Sequence, residues 1–190
     1  YVNTEDEEYT RMIDVKEKTV RKSLRSIKKY FPKRVNLKVL DVGSYFGIFL
    51  EILSRSGYKC YGIEPSKYAV RHSRARSEIT VFNGSLDQYM SDGNIEAPFD
   101  VITAWDVFEH VENPTKFLLQ IEEMLSPGGI FIFSTICIDS TFARFLGRHW
   151  PWILPMHVSY FDKKLLSAIL SKSGYRILYT GNYVHYARLT

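Results

Sequence analysis

Cysteine is scarce in this sequence, with two among 190 residues. Cys60 and Cys137 lie far apart along the chain, which excludes a disulfide framework and a cysteine-rich zinc site and favours a reducing compartment. No apolar stretch reaches the roughly 20 residues that a membrane-spanning helix needs, so we expect no membrane span. We also expect no cleavable signal sequence. These scarcities predict a cytoplasmic globular protein.

Neither sign of charge dominates. Lys and Arg number 25 against 21 Asp and Glu, a net charge of +4, which permits contact with nucleic acid or a membrane surface without requiring it. Hydrophobic residues make up 45% and charged residues 24%, as is usual for a chain that folds on its own. The length predicts a single domain over residues 1–190 and leaves the oligomeric state open.

A charged segment opens the chain. Apolar residues recur at near-helical spacing through residues 5–31 until Pro32, which predicts an amphipathic helical lead-in over residues 1–34. Its other face is rich in Lys and Arg. We interpret that face as solvated surface, and a surface for an anionic partner is the alternative.

Short apolar runs then alternate with helix-length segments. The runs cover residues 38–42, 59–63, 79–82, 99–104 and 130–135, and the helical segments lie near 47–56, 66–76 and 114–125. This alternation predicts an α/β fold, a doubly wound and mostly parallel sheet with flanking helices, with its ligand-binding core at residues 35–136.

Residues 137–190 are predicted to form a substrate-side segment and the end of the sheet. A helix near 162–173 and a strand near 175–180 are indicated by their apolar spacing. Residues 182–190 are ambiguous. Gly181-Asn182 could turn a hairpin, or Asn182 could cap a new helix, and we favour the helix.

The first strand runs into a loop that contains glycine. The segment DVGSYFG, residues 41–47, places Gly43 at a sharp turn and Gly47 where the next helix begins. Free N–H groups at a helix start attract a carboxylate or a phosphate. The spacing is not Gly-x-Gly-x-x-Gly, so it is not the dinucleotide fingerprint. A plain strand-to-helix turn is the alternative.

The second strand ends at Glu64-Pro65. Open α/β sheets bind ligands at the carboxyl ends of their strands, where the two oxygens of Glu64 could accept both hydroxyls of a ribose. Alternatively, Glu64 is an acid at a helix N-terminus that interacts with the helix dipole.

With these motifs in place, residues 38–178 resemble the class I S-adenosylmethionine-dependent methyltransferases of the small-molecule branch. Residues 99–135, FDVITAWDVFEHVENPTKFLLQIEEMLSPGGIFIFST, are similar to that family's fourth strand, following helix and fifth strand. Residues 139–162, DSTFARFLGRHWPWILPMHVSYFD, resemble a subgroup often found with glycan and quinone biosynthesis. The resemblance implies a Rossmann-like fold. Its last antiparallel strand is either residues 183–189 or missing.

The resemblance implies S-adenosylmethionine as cofactor and S-adenosylhomocysteine as product. The resemblance also implies methyl transfer to an oxygen or carbon of a sugar, glycolipid or quinone precursor. Carried over position by position, the cofactor-binding residues are Asp41, Gly43, Ser44, Tyr45, Gly47, Glu64, Pro65, Ser85, Leu86, Ala104, Trp105 and Asp106. Two positions depart from the pattern. Ser85 stands where relatives often have an acid, and Tyr45 replaces a glycine, so a positive φ there would strain it.

Histidines supply the catalytic candidates. His110 is the first candidate for a general base and His157 the second, because imidazole accepts a proton near neutral pH. Structural hydrogen bonding is the alternative for both. Glu109 and His110 are adjacent potential metal ligands without an evident third, so we expect no metal site. Four aromatic residues could cover an acceptor or pack in the core: Trp150, Trp152, Tyr160 and Phe161.

Two rival functions stay open at this stage. An RNA methyltransferase is disfavoured because residues 104–107 read Ala-Trp-Asp-Val, and not an Asn-Pro-Pro-Tyr-like motif. A non-catalytic binding or scaffold protein would keep the fold, with Tyr45 filling the cofactor loop. We therefore expect a small-molecule acceptor and no nucleic-acid partner.

Overall fold

The computed structural model describes residues 24–25, 27–31, 36–76, 79–93, 96–181 and 185–189. The chain divides into two compact units, residues 1–95 and 96–190, and each is described by itself. Residues 27–30 are helical, with Ile27 buried, which agrees with the end of the predicted lead-in. The remainder of that predicted helix, with most of its basic face, lies outside the described residues.

The first unit contains three parallel strands in the order β3-β2-β1. The strands are β1 Lys38–Val42, β2 Lys59–Glu64 and β3 Thr80–Asn83, and the helices are α1 Ile48–Ser54, α2 Lys67–Arg76 and α3 Leu86–Ser91. In register, Asp41 pairs with Gly62 and Glu64 pairs with Asn83. The strand ends that carry Asp41 and Glu64 are therefore neighbours.

Burial explains why β1 is mostly apolar. Val39, Leu40 and Val42 are all buried, as in a parallel strand covered on both faces. Helix α1 buries Ile48 and Leu53, among others, so the loop between β1 and α1 is held at both ends by packed elements.

The second unit contains four strands in the order β4-β5-β7-β6. They are β4 Phe99–Ala104, β5 Leu125–Phe133, β6 Tyr175–Thr180 and β7 His185–Leu189, with helices α4 Pro114–Met124, α5 Thr141–Leu146 and α6 Lys163–Lys172 and 3₁₀ turns Phe108–His110 and Gly147–His149. Strands β4 and β5 are parallel, whereas β7 is antiparallel to both β5 and β6.

The predicted helix at the end of the chain is wrong, because residues 185–189 form strand β7. Strand β7 pairs with β5 on one side and with β6 on the other, so the last antiparallel strand is present. Two open strand edges can satisfy the backbone N–H and C=O groups of this segment at once. The segment Tyr-Val-His-Tyr also has strand propensity, which outweighs the capping potential of Asn182.

Strand β5 begins earlier than the apolar pattern predicts. Leu125 pairs with Phe99 and the next paired residue is Ile130, opposite Val101, so residues 126–129 bulge out of the ladder. Ser126, Pro127 and two glycines fill this bulge and mask the start of the strand in the sequence.

Helices α3 and α5 were not predicted, although both have a serine N-cap. Ser85 accepts a hydrogen bond from the Gln88 backbone N–H and forms a full capping box with it. Ser140 accepts from the Ala143 N–H. Each helix has six residues, too few for the apolar periodicity on which the predictions rested.

The parallel strands and connecting helices confirm the predicted fold class, a Rossmann-like α/β fold with a mostly parallel sheet. Among the described residues, no helix has the length and apolar character to cross a membrane.

Candidate active site

The turn after β1 adopts left-handed backbone conformations at alternate positions. Gly43 has φ 75°, Tyr45 has φ 47° and Gly47 has φ 73°. The backbone N–H groups of Gly43 and Ser44 both donate to the carbonyl of Ile63, at 2.8 and 3.1 Å, so the turn is fastened to β2. Tyr45 therefore has the positive φ whose strain the sequence analysis considered. For a residue with a Cβ it costs about 1–2 kcal/mol.

Glu64 joins three segments at the end of β2. Its carboxylate Oε2 accepts the Tyr45 backbone N–H at 2.8 Å, and Oε1 accepts the Ser66 N–H at 2.7 Å. Its carbonyl accepts from the Asn83 side chain at 3.0 Å and from the Gly84 N–H at 3.1 Å. Only 7% of Glu64 is exposed. The sequence analysis assigns Glu64 and the glycine turn to one cofactor site. In the structure, the Glu64 carboxylate is in direct contact with that turn.

Ser44 presents an unsatisfied hydroxyl in this turn. Its Oγ is buried and has no hydrogen-bond partner in the part of the chain that the structure describes. A Cβ on Gly62 would lie 2.6 Å from that oxygen, so only glycine in β2 leaves room for the serine. A buried polar atom without a partner fits a site that receives a polar ligand group. Gly62 was missed by the sequence analysis, because its close approach to Ser44 leaves no local pattern in the strand.

The remaining predicted cofactor residues of the first unit lie at strand ends. Asp41 is buried on β1, and Pro65 follows Glu64 at the surface. Ser85 follows β3 but is engaged as the N-cap of α3, through its hydroxyl and its backbone N–H. Leu86, in the first turn of that helix, is buried.

In the second unit, Asp106 is held by a serine at the end of β5. The Asp106 backbone N–H donates to Ser134 Oγ at 2.9 Å, and that hydroxyl donates to Asp106 Oδ1 at 2.8 Å. Asp106 has φ 54° and follows the buried residues Ala104 and Trp105. Ser134 was missed by the sequence analysis because it lies 28 residues from Asp106 and resembles an ordinary strand end.

The two candidate histidines are neighbours. The ring centroids of His110 and His157 lie 4.9 Å apart in an edge-to-face arrangement. His110 Nδ1 lies 2.9 Å from the Met156 carbonyl, and His157 Nδ1 lies 2.8 Å from the Trp152 carbonyl. Both histidines therefore make hydrogen bonds to the backbone, as the alternative of a structural role requires. These bonds use Nδ1 and leave Nε2 of each ring for other contacts.

Glu109 completes this cluster from a buried position. Its Oε2 accepts the hydroxyl of Thr135 at 3.0 Å. Burial raises the pKa of Glu109 above its ordinary value, against the opposing effect of the Thr135 hydrogen bond. Ligand atoms of Glu109, His110 and His157 all lie within 4.8 Å of one another. The sequence analysis found no third potential ligand beside Glu109 and His110, and the structure identifies His157 in that position.

The four aromatic candidates do not act as one surface. Phe161 packs in the core, with its ring centroid 4.9 Å from that of Phe108, and Trp150 is also buried. Trp152 is exposed, and the Tyr160 hydroxyl contacts the backbone of Leu154. Exposed apolar side chains concentrate in the same region: Phe142, Phe145, Trp152, Ile153, Met156 and Val158.

A Rossmann-like sheet whose first strand enters a glycine turn, with that turn bonded to the acid that ends the second strand, is the fold of the class I S-adenosylmethionine-dependent methyltransferases. The chain belongs to the methyltransferase-domain family, which matches residues 16–180.

Curated relatives of this chain include proteins named ubiquinone biosynthesis O-methyltransferases. The chain is 30% identical over 142 residues to the mitochondrial ubiquinone biosynthesis O-methyltransferase of Schizosaccharomyces pombe, covering 70% of this chain and 52% of that protein. It is 31% identical over 105 residues to the ubiquinone biosynthesis O-methyltransferase of Maricaulis maris, covering 53% of this chain and 41% of that protein. The chain thus spans about half the length of these relatives, or less.

Solved structures share the fold at low identity. Magnesium protoporphyrin IX methyltransferase from Synechocystis PCC 6803, crystallised with bound SAH, has a TM-score of 0.71 and 16% identity, covering 91% of this chain and 83% of its own. An S-adenosylmethionine-dependent methyltransferase from Clostridium acetobutylicum has a TM-score of 0.69 and 13% identity, covering 95% and 98%.

Proposed function

We propose that this chain transfers a methyl group from S-adenosylmethionine to an oxygen or carbon of a small metabolite. The observation that carries the proposal is the contact between the Glu64 carboxylate and the glycine turn through the Tyr45 N–H. It joins, within the first unit, the acid that we propose for the ribose and the turn that we propose for the methionine end. The family membership and the names of the curated relatives support the same reaction.

The residues of the first unit fit this cofactor. Each Glu64 oxygen accepts one backbone N–H and keeps a lone pair for a ribose hydroxyl. Hydrogen bonds to a charged acceptor contribute about 1.5–3 kcal/mol each. The buried Ser44 hydroxyl and the turn at Gly43 and Gly47 would receive the methionine end. The other proposed cofactor contacts in the first unit are Asp41, Tyr45, Pro65, Ser85 and Leu86, and those proposed in the second unit are Ala104, Trp105 and Asp106.

S-adenosylmethionine supplies a methyl group already activated on a sulfonium, so the protein mainly aligns donor and acceptor. Alignment can account for about 7–11 kcal/mol of the barrier, whereas a general base adds about 10²–10⁴-fold. A hydroxyl acceptor must also lose its proton when its oxygen bonds to the methyl carbon. A neutral carbon acceptor must likewise lose the proton that the methyl group replaces, so a side chain or solvent has to accept a proton in both cases.

We propose His110 as that proton acceptor, with His157 as its neighbour. The Met156 carbonyl can only accept a hydrogen bond, so the Nδ1 of His110 carries the ring hydrogen. Nε2 then has the lone pair that removes a proton. His110 is exposed and reachable by a substrate, whereas His157 is almost fully buried.

The acceptor proposed here has a substantial apolar part. The exposed side chains at residues 142–158 include Phe145, which is 86% exposed, and Trp152. Such a surface suits a quinone precursor or a glycolipid better than a free sugar. The ubiquinone-pathway names of the relatives support this choice.

A labelled-methyl transfer assay tests the function. The full chain is incubated with methyl-labelled S-adenosylmethionine and cell extract, and labelled products are identified by mass. We expect one labelled product of low molecular mass, whose formation S-adenosylhomocysteine inhibits. Label that appears only in RNA would support the rival nucleic-acid function, and an absence of label together with an absence of cofactor binding would support a scaffold.

We also propose a reducing compartment, such as the cytosol. Both cysteines are free thiols, Cys60 buried and Cys137 partly buried.

A further inference from the structure

Three potential metal ligands from distant parts of the second unit converge. Glu109 and His110 lie in the 3₁₀ turn after β4, and His157 lies in the segment before α6. One ligand atom from each lies within 4.8 Å of the other two. The positions are 47–48 residues apart in sequence, so folding and not local spacing brings them together.

Both imidazoles have the kind of hydrogen-bond partner that metal-binding histidines typically have. Nδ1 of His110 is 2.9 Å from the Met156 carbonyl, and Nδ1 of His157 is 2.8 Å from the Trp152 carbonyl. A carbonyl oxygen only accepts, so each neutral ring carries its hydrogen on Nδ1 and keeps the lone pair on Nε2. Histidines that bind metal typically donate the other ring N–H to a carbonyl or carboxylate, which fixes the tautomer.

The carboxylate is positioned in the same way. Thr135 donates its hydroxyl to Glu109 Oε2 at 3.0 Å, which leaves lone pairs on the buried carboxylate for a cation. The Glu109 carbonyl accepts the N–H groups of Val158 and Ser159, both at 3.0 Å. These bonds fasten the segment that carries His157 to the turn that carries His110, so the three ligands are held before any ion binds.

The ligand set indicates the type of ion. Two imidazole nitrogens and one carboxylate oxygen suit zinc and its first-row neighbours, whereas Mg²⁺ and Ca²⁺ prefer oxygen ligands. Three protein ligands leave a position for a substrate oxygen, as in catalytic zinc sites. Bonds of about 2.0–2.2 Å require the ligand atoms to draw together by about 1 Å, a movement within reach of side-chain rotation.

We propose that Glu109, His110 and His157 bind a divalent transition-metal ion of the zinc type. Its catalytic consequence rests on the proposed methyl transfer: an acceptor hydroxyl bound at the open position would have a lowered pKa. The lone pair on His110 Nε2 cannot serve both roles, so the ion would then replace His110 as the agent that ionises the acceptor, and the proton of the acceptor hydroxyl would pass to solvent. Metal binding itself does not depend on the methyl-transfer proposal.

Calorimetric titration of the chelator-treated full chain with ZnCl₂ tests the site. We expect one ion per chain, no comparable heat with MgCl₂, and visible absorption of the tetrahedral type with Co²⁺. His110→Ala and His157→Ala should each weaken Zn²⁺ binding at least tenfold. His149→Ala is the matched control, because His149 is an exposed histidine outside the cluster, and it should bind as the wild type does.

Thermal melting and S-adenosylhomocysteine binding, measured on the same samples, keep the outcomes distinct. His110 is exposed, so His110→Ala should fold and melt as the wild type does. No zinc binding by the wild type, or undiminished binding by folded His110→Ala, would overturn the metal site. If S-adenosylhomocysteine still binds in that case, the proposed function survives. Zinc binding without S-adenosylhomocysteine binding would support the metal site and contradict the proposed function.

Discussion

Glu64 and Tyr45 are joined by a hydrogen bond of 2.8 Å between the Tyr45 backbone N–H and Glu64 Oε2. The bond ties the end of β2 to the turn after β1 and holds Tyr45 at its positive φ. The acid therefore serves two purposes under the proposed function. It orders the turn, and its remaining lone pairs are available to a ribose.

Replacing Tyr45 separates the enzyme from the scaffold hypothesis. Tyr45→Gly removes about 1–2 kcal/mol of left-handed backbone cost and the contact with Phe46, whose ring centroid is 4.1 Å away. We expect affinity for S-adenosylhomocysteine within about threefold of the wild type, because the N–H donor to Glu64 is retained. A wild type that does not bind and a Tyr45→Gly variant that does would show that Tyr45 fills the loop.

Gly47 should be far less replaceable than Gly57. Both have positive φ, 73° and 86°, so alanine costs about 1–2 kcal/mol at either. At Gly47 a Cβ would also lie 2.6 Å from Ile79 Cδ1 and 3.0 Å from Ser73 Cβ, whereas at Gly57 nothing lies within 4 Å. We expect Gly47→Ala to lose about a further 1–3 kcal/mol of unfolding free energy in urea titrations. Equal losses in the two variants would contradict the packing described here.

The two thiols should be protected at moderately alkaline pH. Burial raises the pKa of Cys60 to about 12 and that of Cys137 to about 11. Only the thiolate reacts, so we expect iodoacetamide at pH 8 to modify the native thiols about 100-fold more slowly than the unfolded ones. Mass spectrometry of timed samples measures both rates, and equal rates would contradict the burial.

The raised pKa of Cys60 also predicts how the free energy of unfolding changes with pH. An unfolded cysteine ionises near pH 8.5, whereas folded Cys60 keeps its proton until about pH 12. The contribution of Cys60 to the free energy of unfolding is therefore constant below about pH 8.5. Between that pH and about pH 12 it decreases by up to about 1.4 kcal/mol per pH unit. Urea titrations at pH 8 and pH 10 should show a smaller decrease for Cys60→Ala than for the wild type. Identical decreases would contradict the raised pKa.

His110→Ala should reduce turnover and spare cofactor affinity, once the acceptor is known. Loss of a general base typically costs about 10²–10⁴-fold in rate, and we expect a decrease in kcat with an unchanged Kd for S-adenosylhomocysteine. The exposed Glu123, on α4, provides a control in Glu123→Ala. Full activity of His110→Ala would remove this residue from the reaction, both as base and as metal ligand.

Local patterns predicted the parallel strands well and the end of the chain poorly. Strands β1 and β4 are short and mostly apolar, and their predicted limits agree with the structure. Strand β7 depends on pairing with β5 and β6, whose open edges are not visible in residues 182–190 themselves. Pairing across distant segments outweighed the local capping signal of Asn182.

The candidate site shows the same division. Glu64 was identifiable because it ends a strand in the position where such sheets bind ligands. The contacts of Glu109 with Thr135, and of His110 with His157, span 26 and 47 residues. Neither pair has a local signature, so the clustering of these side chains required the fold.

The central claim is that Glu64 binds the cofactor ribose next to the glycine turn. Its most direct test is calorimetric titration of S-adenosylhomocysteine into the wild type, Glu64→Ala and the control Glu123→Ala, with each variant's melting temperature measured first. We predict binding by the wild type and the control, and at least tenfold weaker binding by folded Glu64→Ala. An unchanged dissociation constant in that variant would contradict the account.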